Sequence, residues 1–210
     1  TGMEYSLSTN TDIYLYDLVS GQTRNITEGM GGYDTHPRFS PDGKRISWIS
    51  MERDGYEADL KRLFVQDLKT GQKTFLTDGF EYDVDELQWS ANSQSIFFLS
   101  TKHAEAQLWE IALKGRKIRQ ITTGMHDYTS LDVQGDKILA GRQSYIEPTD
   151  LYLVDIKTGA AKQLTAENKS TLDGLAPISV EKRWVKTTDG GNMLVWVVLP
   201  PNFDKTKKYP

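Results

Sequence analysis

The sequence contains no cysteine, which removes disulfides, thiol nucleophiles and thiolate metal sites at one stroke and leaves the redox compartment open. No apolar run approaches the ~20 residues of a membrane-spanning helix. The first residues, Thr1-Gly2-Met3-Glu4-Tyr5, lack the charged and apolar regions of a signal peptide and read as mid-protein sequence. Neither sign of charge dominates. With 25 Lys and Arg against 29 Asp and Glu, interspersed, the chain has no basic footprint for nucleic acid. Histidines number three, and no pair of them or cluster of carboxylates has metal-ligand spacing, so neither metal nor cofactor is expected. None of the fourteen serines occupies a Gly-x-Ser-x-Gly elbow, and no catalytic residue is assigned within the 210 residues.

What the chain does contain is one unit written four times. It reads DIYLYDLVSGQTRNITEG from Asp12, RLFVQDLKTGQKTFLTDG from Arg62, QLWEIALKGRKIRQITTG from Gln107 and DLYLVDIKTGAAKQLTAE from Asp150. The starts are 50, 45 and 43 residues apart, a period that belongs to propeller blades. Each unit is two short strands around a turn of the Asp-Leu-Lys-Thr-Gly kind. There Gly supplies a positive φ, and Asp caps free backbone N–H groups. The returning strand ends in Ile-Thr or Leu-Thr at Thr27, Thr77, Thr122 and Thr165. The third copy has Ala112 in place of the Asp and a shifted Gly115.

A second hairpin separates these units. HPRFSPDGKRISWIS (36–50) aligns without gaps on ELQWSANSQSIFFLS (86–100), with a weaker copy at 130–142. Two hairpins per period make four antiparallel strands, which is one propeller blade. The fold class expected is all-β: a partial β-propeller of about three and a half four-stranded blades over 1–165. The blades fall at about 3–27, 33–77, 82–122 and 126–165. The aromatics Tyr14, Tyr16, Trp48, Trp89, Phe97, Phe98 and Trp109 are expected in the blade core.

After Thr165 the period stops. Residues 166–182 are polar and read as a linker. Residues 183–210 hold a hairpin around Asp189-Gly190-Gly191, whose second strand (Met193–Leu199) is apolar enough to be covered on both faces. Blades with FSPDGK-type turns, then a DGG hairpin, then LPPNFDKTKKYP, resemble serine peptidases of the prolyl oligopeptidase family. SMERDGYEADLKRLFVQDL (50–68) is similar to its dipeptidyl-peptidase V and acylaminoacyl-peptidase branch. The resemblance implies that the hairpin leads into an α/β-hydrolase domain beyond Pro210, which carries the catalytic Ser, Asp and His. The propeller would then gate a serine exopeptidase that releases dipeptides or acylated residues from peptide N-termini. The FSPDGK turn is shared with TolB-type propellers, so a non-catalytic propeller mediating protein–protein interaction is the alternative. The family also implies a periplasmic or secreted setting, with the cytoplasm as the other possibility.

The loop between the two hairpins of the second repeat holds the candidate binding residues: Glu52, Arg53, Asp54, Tyr56, Glu57 and Asp59. Its bland reading is a solvated connection. Its sharper reading follows from the resemblance: a dipeptidyl peptidase must hold a substrate α-ammonium, a task for Glu52, Asp54, Glu57 or Asp59, while Arg53 takes a carbonyl. Propeller geometry puts the blade-junction loops on the same face, which adds Tyr33-Asp34 and Tyr82–Glu86, again with a plain structural alternative. His36, His103 and His126 are read as surface or structural. Peptide substrates are the implied partners; nucleic acid and membrane are not. Open propeller edges leave self-association as a further expectation.

Overall fold

A computed structural model describes residues 8–176 and 178–209. The expected opening of the first blade at residue 3 falls outside the described residues. From Tyr14 onward the chain is a succession of antiparallel hairpins. β1 (Tyr14–Tyr16) and β2 (Thr23–Asn25) form a two-stranded sheet. The first full blade, here blade 1, follows in the order β3 (Asp34–Phe39), β4 (Arg45–Ser50), β5 (Arg62–Asp67) and β6 (Lys73–Phe75). Blade 2 is β7 (Asp85–Trp89), β8 (Ser95–Lys102), β9 (Glu105–Ala112) and β10 (Ile118–Gln120). In blade 3 the inner strand is split into β11 (Asp127–Tyr128) and β12 (Asp132–Gln134). Both pair β13 (Lys137–Gln143), which pairs β14 (Asp150–Asp155) and so β15 (Ala161–Gln163). Among the described residues no helix is long and apolar enough to cross a membrane.

The repeated residues do the same work in every copy. The threonine that ends each unit accepts a hydrogen bond from a backbone N–H at the start of the unit's first strand. The distances are Ile13 N to Thr27 Oγ1 3.0 Å, Leu63 N to Thr77 Oγ1 3.0 Å, Leu108 N to Thr122 Oγ1 3.0 Å and Leu151 N to Thr165 Oγ1 2.9 Å. At the turn, Asp17 accepts from the Val19 and Ser20 amides, Asp67 from Lys69 and Thr70, and Asp155 from Thr158. These bonds hold the Asp17 and Asp67 carboxyls below their ordinary pKa, while Asp155 is depressed first by the Lys137 ammonium at 2.6 Å and then by Thr158. In the third copy, where the Asp is missing, Arg116 takes the left-handed position (φ 51°) directly after Gly115 (φ 78°).

Sheets stack face on face, and each junction is a core. Ile13 and Ile26 meet Ile46 and Trp48. Leu63, Val65 and Leu76 of blade 1 meet Trp89, Ile96, Phe98 and Ile111 of blade 2. Phe97, Leu99 and Leu108 of blade 2 meet Tyr128, Ile138, Ala140 and Val154 of blade 3. β8 therefore alternates between two cores, which is why Ile96–Leu99 is an unbroken apolar run. The Trp89 indole N–H donates across the first full junction to Ser47 Oγ at 2.8 Å.

Position in the stack overrides residue type at several points. Trp48, Trp89, Phe97, Phe98 and Trp109 are buried as expected, but Tyr14 and Tyr16 are 61% and 57% exposed. Among the described residues nothing packs on that side of the β1–β2 hairpin, whose core contacts are made by Ile13 and Ile26. Phe39 occupies the repeat position of Trp89 yet is 53% exposed against 5%. Trp89 rests on the β3–β4 hairpin of the preceding blade, and among the described residues no such hairpin packs on Phe39. Past the repeats, residues 166–182 are not uniformly irregular: they contain the single turn α1 (Lys169–Leu172) and the start of β16 (Ser179–Lys186). β16 pairs β17 (Asn192–Leu199) around the Asp-Gly-Gly turn. The apolar β17 is not enclosed on both faces here, since Met193 and Val198 are half-exposed in a sheet of two strands.

Candidate functional site

The loop 51–61 does emerge on one face with the junction loops. Together with residues 8–12 it surrounds a cavity of about 1040 Å³, lined among the described residues by Tyr14, Tyr33, Met51, Tyr56, Glu57 and Lys61. The other side of the same loop faces a second cavity of about 530 Å³, walled by Glu52, Arg53, Asp59, Arg62, Phe75 and Phe80. Five of the six candidate residues are thus divided between two recesses, Tyr56 and Glu57 in the first and Glu52, Arg53 and Asp59 in the second, and Asp54 lines neither.

Most of their charge is already matched. Arg53 Nε donates to both Asp59 oxygens, at 3.0 and 3.1 Å, and its Nη2 also reaches Asp59. The Arg53 guanidinium lies 3.9 Å from the centre of the Tyr56 ring. This pairing pushes the Arg53 pKa up and the Asp59 pKa down. Asp54 Oδ1 takes the Thr9 amide at 2.6 Å, the Ser8 hydroxyl at 2.9 Å and the Asn10 amide at 3.1 Å. Those donors depress its pKa and make it a cap that ties residues 8–10 to the loop. Glu52 pairs with Arg62 at 3.3 Å. Glu57 alone of the candidates lines the larger cavity as a carboxylate with no cation in ion-pair range among the described residues.

Lys61 closes the cavity on its inner side. Its Nζ sits 2.6 Å from Asp85 and its amide donates to Asp83 at 2.8 Å; the Asp85 contact raises its pKa. Behind it, a recess of about 180 Å³ is lined by His36, Asp85 and Glu86 on the inner strands. His36 (φ 55°) and Glu86 (φ 48°) are left-handed residues at equivalent β-bulges, which shift the register of β3 against β4 and of β7 against β8. The gapless alignment of 36 on 86 is the one signal that could have flagged them.

Asp34 lies beside the cavity but is 3% exposed, and neither carboxylate oxygen has a hydrogen bond. Burial raises its pKa, against weaker support for the charged form from Ser50, Thr27 and Trp48. His126 is half-buried, packed edge-on to Tyr128 at 5.3 Å, with a pKa lowered by burial. His103 forms the β8–β9 turn with Ala104. No group of three or more His, Asp or Glu side chains is placed to hold a metal ion among the described residues.

Stacked antiparallel blades, tied by the same Thr contact in all four repeats and by the Asp turn in three of them, define a β-propeller segment. The chain belongs to the TolB β-propeller domain family, whose model matches residues 3–203. It is 65% identical over all 210 residues to dipeptidyl-peptidase 5 of Porphyromonas gingivalis and 58% identical to dipeptidyl-peptidase 5 of Porphyromonas endodontalis. It spans 31% and 30% of the length of those relatives. Among solved structures, the Pyrococcus horikoshii acylaminoacyl peptidase superposes with a TM-score of 0.73 at 21% identity, covering 95% of this chain and 29% of that one. TolB of Acinetobacter baumannii superposes with a TM-score of 0.57 at 23% identity, covering 73% of this chain and 37% of that one. These two likenesses establish the fold.

Proposed function

We propose that this chain is the gating and substrate-selecting part of a serine exopeptidase that releases dipeptides or acylated residues from peptide N-termini. Its own residues perform no chemical step. The class rests on the 65% identity to a dipeptidyl-peptidase 5 along the whole chain. The observation that carries the site is Glu57: a carboxylate with no cation in ion-pair range among the described residues, in a tyrosine-lined cavity on the loop face, suited to a peptide α-ammonium. Tyr33 and Tyr56 supply apolar walls and hydroxyls for the first residues of the peptide. Arg53, Asp54 and Asp59 serve by building the loop, and Glu52 by holding Arg62. The partner-binding propeller of the TolB kind is less favoured, because the TolB fold covers less of the chain than the peptidase fold does. For setting, we propose the periplasm or the cell exterior, checked by fractionating the producing cells.

The test is steady-state kinetics on the full-length protein. Glu57→Gln is expected to raise KM for peptides with a free N-terminus about tenfold while leaving kcat unchanged, the signature of lost substrate binding without lost chemistry. N-acetylated peptides should respond less. An unchanged KM for free-amine peptides would remove Glu57 from the site.

A further inference from the structure

Blade 2 differs from its neighbours at the end that faces the loops. β8 and β9 each run for eight residues and meet in a two-residue turn. Blade 1 opens instead into the 51–61 loop, and blade 3 into residues 144–149. The turn residues His103 and Ala104 are both left-handed, at φ 53° and 57°, the conformation whose twist matches that of the flanking strands. The ribbon therefore projects as a continuous arm.

The β16–β17 hairpin sits on this arm and on the neighbouring loop of blade 3. Lys182 Nζ lies 2.9 Å from Glu105 Oε1, with side chains 22% and 19% exposed. The His103 ring stands perpendicular to Trp184 at 5.3 Å, and Trp196 packs on Tyr145 of blade 3 at 5.0 Å. Lys182 and Trp196 are cross-strand partners, and the ammonium lies 5.5 Å from the indole ring centre. A chain of ring contacts leads back into the propeller: His103 to Tyr82 at 6.5 Å, Tyr82 to Phe80 at 5.5 Å, and Phe80 to the buried Trp109 at 5.3 Å. Among the described residues of the intervening segment, 164–176 and 178, there is one helical turn and no strand of any blade.

We propose that the β8–β9 ribbon is a docking arm for the β16–β17 hairpin, with Glu105 and His103 as positioning residues that set the direction in which the chain leaves the propeller. The surface on the arm is a carboxylate beside an imidazole edge. Its partner surface is the Lys182 ammonium beside the Trp196 indole, with the Trp184 indole two residues further along β16. The pair is covered enough that solvent screens it only in part, and either member left alone is a half-buried charge without its partner. Nothing in this assignment depends on the peptidase reading.

Hydrogen exchange read by mass spectrometry on the intact protein tests it. Glu105→Ala is expected to speed exchange in peptides covering 164–186 about tenfold and to leave β3–β6 unchanged. His103→Ala should give a smaller rise, about threefold. The charge swap E105K/K182E should restore protection to within about twofold of the parent, which a merely structural role for either side chain would not produce. Lys182→Ala perturbs the pair from the hairpin side and must reproduce the Glu105→Ala pattern with β8–β9 still protected. Unchanged exchange over 164–186 in Lys182→Ala, or a swap that fails to recover protection while the blades remain protected, would overturn the proposal.

Discussion

The four threonines that close the repeat make one graded prediction, because the same bond is made in different surroundings. Thr77 is 2% exposed and the amide it satisfies, Leu63 N–H, belongs to a fully buried residue. Thr77→Val keeps the shape and removes only the acceptor, so no cavity forms and the amide is orphaned in the core. An unsatisfied buried donor costs ~1–3 kcal/mol. Thr122, with Leu108 N–H as its donor, is in the same situation. Thr165 makes its bond to Leu151 N–H on the outer blade, where Leu151 is exposed and water can replace the hydroxyl. Thr165→Val should therefore cost no more than ~0.5 kcal/mol, the range of surface changes. With a urea m-value of ~2 kcal/mol/M, the Thr77 and Thr122 variants should unfold at midpoints lower by roughly 0.5–1.5 M, and the Thr165 variant by about 0.25 M or less. Thr77→Ser, which keeps the acceptor, should recover most of the loss. If all three valine variants cost the same, or if Thr77→Val is neutral, the closing bond is not what stabilises the repeat.

Asp34 gives a prediction with a pH sign. Burial raises its folded-state pKa above the unfolded value, so the neutral acid is favoured in the fold and the penalty appears as pH rises through the folded pKa. Asp34→Asn should thus stabilise the protein at pH 7, with the gain vanishing below about pH 4; denaturation at both pH values reads it, and an Asn variant less stable at pH 7 would contradict it. The turn carboxylates Asp17, Asp67 and Asp155 have the opposite sign: their pKa values are depressed, so their contribution is present at neutral pH and is lost as pH falls below the ordinary carboxylate range. Asp54→Ala should free the amides of Thr9 and Asn10 without moving the global unfolding midpoint; amide exchange at those residues checks it, and unaltered protection would show that Asp54 does not tie residues 8–10 to the loop.

Strand order and turn chemistry were legible because each repeat carries its own local code: a Gly with positive φ, a Thr that reaches back fourteen residues and, in all but the third copy, an Asp that caps the turn. What was not legible depends on neighbours. Phe39 and Trp89 align residue for residue, but among the described residues only Trp89 has a complete hairpin to rest on, so burial differs where sequence does not. In the candidate loop, charge type was visible and pairing was not. Asp54 finds its donors more than forty residues away at Ser8–Asn10, and Arg53 closes on Asp59 only once the loop has turned. The seating of β16–β17 on blade 2 joins segments some eighty residues apart and leaves no local pattern. The bulges at His36 and Glu86 are set by strand pairing, not by a glycine that would announce them.

The central claim is that the tyrosine-lined cavity around Glu57 receives a peptide N-terminus. It is tested most directly by photo-crosslinking the full-length protein with a short peptide. The peptide should carry a diazirine side chain at its first residue and a free α-amine. The account predicts adducts on residues of the cavity wall, at Tyr33, Met51, Tyr56 or Lys61, lost when the peptide is N-acetylated or Glu57 is changed to Gln. Adducts confined to the opposite end of the blades, at the Asp-Leu-Lys-Thr-Gly turns, or a yield indifferent to the free amine, would contradict it.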